Sequence, residues 1–411
     1  VSGKLVTIGG GGFSSEPDNP LLDELVVSLA RTPRPGVLFL PTASGDDPTY
    51  VYRFQRNMKR FTRKLTVLRL SEAVDPVAAT RLILEHDVIY AGSGDTARAV
   101  SAWRELGLDR AIAEAVRRGA VYCGVSAGAA ALFESALVRP VASLTAARHE
   151  ALTGLGLLPG GFCAHFDSEP QRRMRLAGLV SIGMMPESWA LEDGAALAFA
   201  ADGSLERLVS SHPDARAFRV SRTSSAAREA EHEPEYLGGP GHSGTVIRRA
   251  ARCDAAAIHA AHDRSIRTIA SRDYSAEQIL AWTSRGFDAV ETSRLQDEIR
   301  HDPMWVIEIA GRILGYAHLK TPFDSAPDVY LQSLYLTPEA AGRGLARKLM
   351  RLVEREGVRR GAPAVVLHSS KTARGFYEKL GYELTGPLDY HMVSGVNLER
   401  WPMRKLLVPQ A

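Results

Sequence analysis

The stretch Ala120-Val-Tyr-Cys-Gly-Val-Ser-Ala-Gly-Ala129 constrains the fold more than any other, because a short apolar strand runs straight into Gly124-Val125-Ser126-Ala127-Gly128. A serine at the tip of a tight strand-to-helix turn is forced into strained backbone geometry, and only small flanking residues let the chain fold back beneath it. Such a turn lifts the hydroxyl above the carboxyl edge of a sheet. The N–H groups that follow sit at a helix start, where Ala127 is placed to donate to an oxyanion. Taken alone, the pattern also fits a serine that merely caps a helix.

The rest of the first half supplies the sheet such an elbow needs. Apolar runs at Leu5–Ile8, Val37–Leu40, Leu65–Leu70, Val88–Tyr90 and Ala120–Gly124 alternate with amphipathic stretches, the sign of βα units and a mainly parallel sheet. Leu108, Ile112 and Val116 recur at helical spacing and end in Arg117-Arg118-Gly119, a basic last turn followed by a glycine stop. In a fold of this kind the site lies at the carboxyl ends of the strands, so the loops Gly9–Ser15, Pro41–Asp47 and Ala91–Thr96 bound it together with the elbow. Leu205–Ser210 and Ala215–Val220 are two further strand-like pieces. Residues 223–244 then lose periodicity and gain Ser, Ala, Glu, Gly and Pro, and they read as a linker and domain edge.

A second domain is expected from 245 to 411. It reads as a strand (Thr245–Arg248), a helix (Asp254–Arg267), a polar segment around Tyr274-Ser-Ala-Glu-Gln278, and strands at Met304–Ile309, Arg312–Lys320 and Val329–Leu336. A glycine loop and helix follow, and Ala364–His368, Ala373–Leu380 and Tyr382–Thr385 close it. The expected fold class is therefore α/β in two domains: a mainly parallel α/β layer over 1–222, then a mixed-sheet α+β domain.

A length of 411 residues exceeds what one core usually supports, which agrees with two domains. Net charge is only +3 and basic runs are missing, so neither nucleic acid nor an anionic membrane is an expected partner. No apolar run is long enough to span a bilayer. The cysteines, Cys123, Cys163 and Cys253, are widely spaced, which excludes a disulfide framework and gives no metal-binding pair. No metal is expected. Val1–Ile8 reads as a strand rather than a signal peptide, and the cytoplasm is the expected compartment. Abundant Arg and Ala suggest a GC-rich bacterial source.

A serine nucleophile needs a base within hydrogen-bond reach. Residues 1–220 offer His86, His149, His165 and His212. His86 falls at the amino-terminal edge of the sheet and reads as a surface residue. His165, in Gly160-Gly-Phe-Cys-Ala-His-Phe-Asp167, ends a short strand at the edge that carries Ser126 and is the best base. With Ala91-Gly-Ser-Gly-Asp-Thr96, Gly154-Leu-Gly-Leu-Leu-Pro-Gly160 and Ala164-His-Phe-Asp-Ser-Glu-Pro-Gln-Arg-Arg173, nearly all of 1–220 resembles the dipeptidase E and cyanophycinase family of serine peptidases. The resemblance implies a glutamine-amidotransferase-like α/β sandwich, Ser126 as nucleophile and His165 as base. It also implies a second oxyanion N–H from about Gly94, beside that of Ala127. Asp95 stands where the family usually has Asn, on the substrate side of that loop, and Arg172 or Arg173 falls where an arginine reads an acidic side chain.

One departure matters. The family carries an Asp between the serine and the histidine, whereas here Glu134 and Glu150 are the only acids between Ala127 and Ala164. The third member is unassigned: Glu134, eight residues beyond the serine, is a candidate, with Glu192 and Asp193 in Leu191-Glu-Asp-Gly194 as further candidates. Loss of the orienting carboxylate costs roughly four orders of magnitude in rate, so the alternative is a non-catalytic ligand-binding domain that regulates the second half.

In the second half, Leu331-Gln-Ser-Leu-Tyr-Leu-Thr-Pro-Glu-Ala-Ala-Gly-Arg-Gly-Leu-Ala346 takes an apolar strand through glycines into an amphipathic helix. Free N–H groups at such a helix start form a nest suited to a pyrophosphate. With Thr372-Ala-Arg-Gly-Phe-Tyr-Glu-Lys-Leu-Gly-Tyr382, residues 245–390 resemble the GNAT acyl-CoA N-acetyltransferases. The resemblance implies acetyl-CoA as acetyl donor, held by the strand end Leu334, Tyr335 and Leu336 and by Gly342, Arg343, Gly344, Leu345 and Ala346. It implies Tyr377 as the acid that protonates the leaving thiolate, while Glu339, His368 or a water chain are open as general base. The Tyr274–Trp282 segment is expected to shape the amine site. The whole chain thus reads as a fusion of an exopeptidase-like hydrolase acting on dipeptides or aminoacyl amides with an N-acetyltransferase acting on a small primary amine. Small molecules or short peptides are the expected partners, with a homodimer as an open assembly.

Overall fold

The computed structural model describes residues 3–139, 149–224, 226–284, 286–320 and 327–407, and the chain divides into two compact units, Val1–Leu237 and Gly238–Ala411. In the first unit, Lys4–Ile8, Val121–Val125, Val88–Ala91, Gly36–Leu40 and Lys64–Val67 lie side by side in that order, all parallel. Ala195–Ala200 and Leu205–Ser210 extend the sheet antiparallel on the other flank of Lys4–Ile8. Alternation assigns each strand residue to one face. Leu38, Leu40, Ile89 and Tyr122 join one buried cluster, and Val37, Phe39, Val88, Tyr90, Val121 and Cys123 join the other. Both faces are therefore covered, as a parallel sheet requires.

The helices start where the sequence offers caps. Asp47, Asp75 and Asp95 each accept backbone N–H bonds at the first turns of Pro48–Met58, Pro76–Glu85 and Thr96–Glu105, which satisfies donors the helix itself leaves free. The helix expected through Leu108–Val116 runs Leu108–Arg117.

A second sheet of six strands holds the expected Ala215–Val220 piece, seen as Ala217–Arg222, and the strand before His165, seen as Leu158–Cys163; its other strands were not expected. It takes Ala227–His232, Ala217–Arg222, Ser188–Leu191, Leu158–Cys163, Phe133–Val138 and Glu150–Thr153 in that spatial order, and Phe133 and Phe162 bury their rings in the cluster shared with the first sheet. Two expectations change here. The strand expected over Leu65–Leu70 stops at Val67. Within the expected linker 223–244, Ala227–His232 pairs along Ala217–Arg222 and Glu235–Tyr236 pairs with Val209–Ser210. Edge strands carry polar residues on both faces, so Ala-Arg-Glu-Ala-Glu-His shows no buried alternation to read.

In the second unit the strands run in the order Thr245–Arg249, Met304–Ile309, Arg312–Lys320, Val329–Leu336, Ala364–Ser370, Val396–Leu406, Glu383–Leu384, with Asp389–Val393 also on Val396–Leu406. All neighbours are antiparallel except Val329–Leu336 with Ala364–Ser370. Helices Ala255–Thr268, Ala276–Trp282, Ala289–His301 and Leu345–Arg359 accompany this sheet. The stretch Gly239–Pro240 is anchored within this unit: Gly239 N–H donates to Glu308 at 2.7 Å, and a side chain on Gly311 would collide with Pro240.

Candidate functional site

Ser126 sits at φ 51° and ψ −103° between Val121–Val125 and the short helix Ala127–Ala130. It is the one residue of Val121–Ala130 that is not buried. A Cβ on Gly124 would drive into the backbone of Gly128, and one on Gly128 would meet the Ala91 carbonyl oxygen at 2.6 Å. The two glycines are thus required by the fold-back under the serine, as the pattern implied.

His165 also has positive φ, 54°, at the carboxyl end of Leu158–Cys163. Its Nε2 lies 2.9 Å from Ser126 Oγ and its Nδ1 lies 2.6 Å from Asp193 Oδ1. The Asp193 carboxylate accepts only, so Nδ1–H donates to it and Nε2 is left to accept the serine proton. Asp193 is positioned from three sides. Its N–H donates to Asp167 Oδ1 at 2.9 Å, Gly194 N–H donates to the Gly10 carbonyl at 2.9 Å, and a side chain on Gly10 would occupy the place of the Asp193 carboxylate.

Glu134 is not part of this relay. Its carboxylate accepts from Gly160 N–H at 2.8 Å on the exposed flank of Phe133–Val138, because that strand carries it away from the serine turn. Asp193 takes the place because Leu158–Cys163 and Ser188–Leu191 are parallel neighbours, which brings the residues after both strands to one edge. Asp193 was among the further candidates of the sequence, and the signal that would have set it ahead of Glu134 was the strand Ser188–Leu191, too short to register as periodic.

The Gly92–Gly94 loop lies beside the elbow: Gly128 N–H donates to the Gly92 carbonyl at 3.2 Å. Gly94 has φ 140°, and a side chain there would collide with the Ala43 carbonyl. The phenol of the part-buried Tyr50 accepts Ser93 N–H at 2.8 Å and fixes the loop. Among the described residues, Gly94 N–H and Ala127 N–H meet no protein acceptor.

The substrate-side residues are occupied otherwise. Asp95 caps Thr96–Glu105 through Ala97 N–H and Arg98 N–H. Arg172 is buried against Glu169 and the Leu137 carbonyl. Arg173 is half-exposed, bound to Glu229 at 2.8 Å and stacked on Phe166 and Phe218. His86 is interior rather than at the surface, bonded to Thr66 and to the Leu82 carbonyl.

In the second unit the parallel pairing covers Val329–Leu331 with Val365–Leu367. Beyond it, a cleft of about 420 Å³ opens, lined among others by Leu334, Tyr335 and Leu336, by Gly342, Gly344, Leu345 and Ala346, and by Tyr377. Gly342 and Gly344 adopt φ 74° and 75° with open space where a side chain would project, so the backbone turn, rather than crowding, demands glycine. Arg343 points elsewhere, exposed and near Thr245 Oγ1, and Arg347 lines the cleft instead. The 15-residue helix Leu345–Arg359 begins at this wall, with first-turn N–H groups that no helix can satisfy internally.

Tyr377 is buried, and burial pushes its phenol well up. It stays protonated at neutral pH and is a proton donor only. The base candidates are otherwise engaged: Glu339 pairs with Arg264 and Arg312, and His368 Nδ1 meets Tyr330 OH at 3.2 Å. Tyr274 is an anchor, its hydroxyl donating to the Glu399 carbonyl and accepting from Lys371 N–H. Among the described residues there is no helix long and apolar enough to cross a membrane and no cluster of side chains suited to a metal ion.

Comparison with known proteins divides the chain in the same way. The peptidase family S51 model matches residues 5–206, and the acetyltransferase (GNAT) domain model matches residues 270–406. The chain is 37% identical over 236 residues to the uncharacterized peptidase YgaJ of Bacillus subtilis (strain 168), which covers 57% of this chain and 99% of that protein. Among solved structures, it is similar to a GCN5-related N-acetyltransferase from Rhodopseudomonas palustris, 27% identical with a TM-score of 0.36, over 40% of this chain and 98% of the other. It is also similar to a peptidase from an acI-B1 Actinobacterium, 16% identical with a TM-score of 0.44, over 56% and 97% of the two chains. The elbow, the histidine and the cleft behind a glycine turn thus fall in matched segments, and the chain belongs to peptidase family S51, with an acetyltransferase (GNAT) domain following in the same polypeptide.

Proposed function

We propose that the first unit is a serine hydrolase of the dipeptidase E type acting on a dipeptide or aminoacyl amide. The observation that carries this reading is the continuous relay Ser126 Oγ, His165 Nε2, His165 Nδ1, Asp193 Oδ1, at 2.9 and 2.6 Å. His165 takes the hydroxyl proton as Ser126 attacks the carbonyl, and Asp193 holds the imidazole in the tautomer that does so. Gly94 N–H and Ala127 N–H receive the developing oxyanion, and His165 then returns its proton to the leaving amine. The rival reading, a non-catalytic regulatory domain, rested on the missing Asp between Ser126 and His165. Asp193 supplies that carboxylate from further along the chain, which favours the hydrolase.

The second unit is read as an N-acetyltransferase for a small primary amine. Acetyl-CoA would supply the acetyl group as its thioester. Gly342, Gly344, Leu345 and Ala346 would hold its pyrophosphate, Leu334–Leu336 would lie along its arm, and Tyr377 would donate a proton to the sulfur. Such a donor fits a reducing cytoplasm. Hydrolysis releases an amine and acetyl transfer consumes one, so the two activities fit a single metabolite.

The hydrolase reading is tested by steady-state kinetics on Asp-X dipeptides. Ser126→Ala and His165→Ala should each lower kcat by at least about 10³-fold, and the double variant should be little worse than either, because residues that act as a unit are not additive. Asp193→Asn should cost about 10⁴-fold, as expected for a mis-set tautomer, while Glu134→Gln should change little. Multiplicative losses for Ser126 and His165, or a silent Asp193→Asn, would remove the relay.

A further inference from the structure

The second unit has a proton donor at its cleft but no base so far, and the ring system at one end of the cleft has no role. His262 lies on Ala255–Thr268, one turn before Ser265 and Ile266, which line the cleft. Its ring packs edge-on against Tyr335, 4.5 Å between centroids, and Tyr335 is itself part of the cleft wall. His262 Nδ1 is 3.2 Å from Asp263 Oδ1. A carboxylate cannot donate, so Nδ1–H is spent on Asp263 and Nε2 keeps its lone pair. The side chain is 25% exposed, open enough to exchange a proton with solvent.

Around it the rings form a continuous set. His259 meets Phe287 at 4.7 Å, Tyr316 stacks on Tyr335 at 5.7 Å, and Trp282 approaches Tyr335 at 6.5 Å. Ring faces attract both a cation and a flat apolar group. Burial pushes the phenols of Tyr316 and Tyr335 well up, so neither is a base at neutral pH. Other titratable and charged groups near the set are His259, Asp263 and Arg267 on the same helix and Glu298 on Ala289–His301, with which Arg294 on that helix and Lys320 on Arg312–Lys320 both pair. Asp263 is likewise paired, with His262, so the attraction for a positively charged guest comes from the ring faces.

We propose that His262 is the catalytic base of the acetyl transfer and that these rings select a primary amine carried next to a flat apolar group; this rests on the acetyltransferase reading above. His262 Nε2 takes a proton from the ammonium form of the acceptor. The freed nitrogen lone pair bonds the acetyl carbonyl carbon, and the carbon–sulfur bond breaks with its electron pair on sulfur. Tyr377 gives sulfur a proton and is restored by the second proton the nitrogen sheds, while the proton on His262 leaves to solvent.

The test uses the full chain with acetyl-CoA, and phenethylamine as the acceptor probe. Thiol release should fall by about 10²-fold or more in H262Q, the scale of a lost general base, with calorimetric acetyl-CoA affinity unchanged and the acidic limb of the pH–rate profile gone. D263N should give a smaller fall in kcat with KM for acetyl-CoA unchanged. Independently of turnover, phenethylamine should slow carbethoxylation of His262, read by mass spectrometry, and leave the exposed His301 unaffected. Full activity in H262Q overturns the assignment. A wild-type chain that binds acetyl-CoA but neither acetylates phenethylamine nor protects His262 overturns it too and leaves the acetyltransferase reading standing. A wild-type chain that does not bind acetyl-CoA removes both.

Discussion

At the scale of single residues, the Ser126 site is held by two backbone strains and one absent side chain. Ser126 and His165 both occupy the left-handed region at φ 51° and 54°, a cost of order 1–3 kcal/mol each that persists only where surrounding structure fixes it. Gly10 provides the room: its missing Cβ is where the Asp193 carboxylate lies, 2.9 Å from His165 Cε1. Gly10→Ala should therefore displace Asp193 and turn the imidazole, lowering kcat on a dipeptide by about 10²-fold, the usual penalty of a misplacement near 1 Å. Substrate KM should change little. An alanine variant with full kcat would show that Asp193 reaches His165 without that space. Of this site the sequence carried the serine and the histidine that the structure brings together, because a glycine-bracketed serine after an apolar strand is a local pattern. It named the orienting acid only as one candidate among several, behind Glu134. Asp193 is brought to His165 by the register of two short parallel strands, and nothing within either strand announces that neighbour.

Elements were legible where a buried face had a period. Met304–Ile309, Arg312–Lys320 and Val329–Leu336 lie where their apolar runs placed them, and Leu108–Arg117 follows its helical spacing. Ala289–His301 escaped notice because only Leu295 and Ile299 of it are buried, and most strands of the second sheet of the first unit escaped because they are short or at an edge. The helix Pro170–Ser181 shows how a motif can mislead. Arg172 or Arg173 was expected to face substrate, yet Arg172 turns inward to Glu169, which also meets His149 at 3.1 Å. Burial would lift the Glu169 carboxyl, but its hydrogen bond and attraction to Arg172 override that and hold it down at about 2. A depressed carboxyl contributes stability that is present above its unfolded value of 4.5 and is lost as pH falls through the folded value. Arg172→Ala should lower stability at pH 7 by about 2 kcal/mol, discounted because Glu169 is part-exposed. It should also flatten the loss of stability between about pH 4.5 and 2 that the wild-type chain shows. Denaturant titrations at pH 7, 4 and 3 measure both. An unchanged acid limb would mean that the pair is not what holds Glu169 down.

At the scale of the whole molecule, each unit has its own sheets and its own buried clusters. Those headed by Trp103 and Phe13 lie in the first, and the one around Leu349 and Val353 lies in the second. The Gly238–Gly244 stretch looked like a free connector by composition, because glycine and proline are common in linkers. Its structure is different: Leu237 N–H donates to the Ser210 carbonyl, and two residues later Gly239 is bonded to Glu308. Gly238 alone separates these two hydrogen-bonded residues, while Pro240, Gly241 and Ser243 beyond them are exposed. Fragments 1–237 and 238–411 should therefore each fold when expressed separately, since domains with complete cores are independent folding units. The first should keep dipeptide hydrolysis at the full-length rate and the second should keep its acetyl-CoA affinity. By contrast, a cut between Pro240 and Gly244 should leave the second fragment less stable by about 1–3 kcal/mol, because Glu308 loses the Gly239 N–H inside a buried group that already holds Arg248. Circular dichroism melts of 238–411 and 244–411 decide it. Equal midpoints would make the stretch a passive tether after all, whereas a lower midpoint for the shorter fragment places it in the fold of the acetyltransferase half.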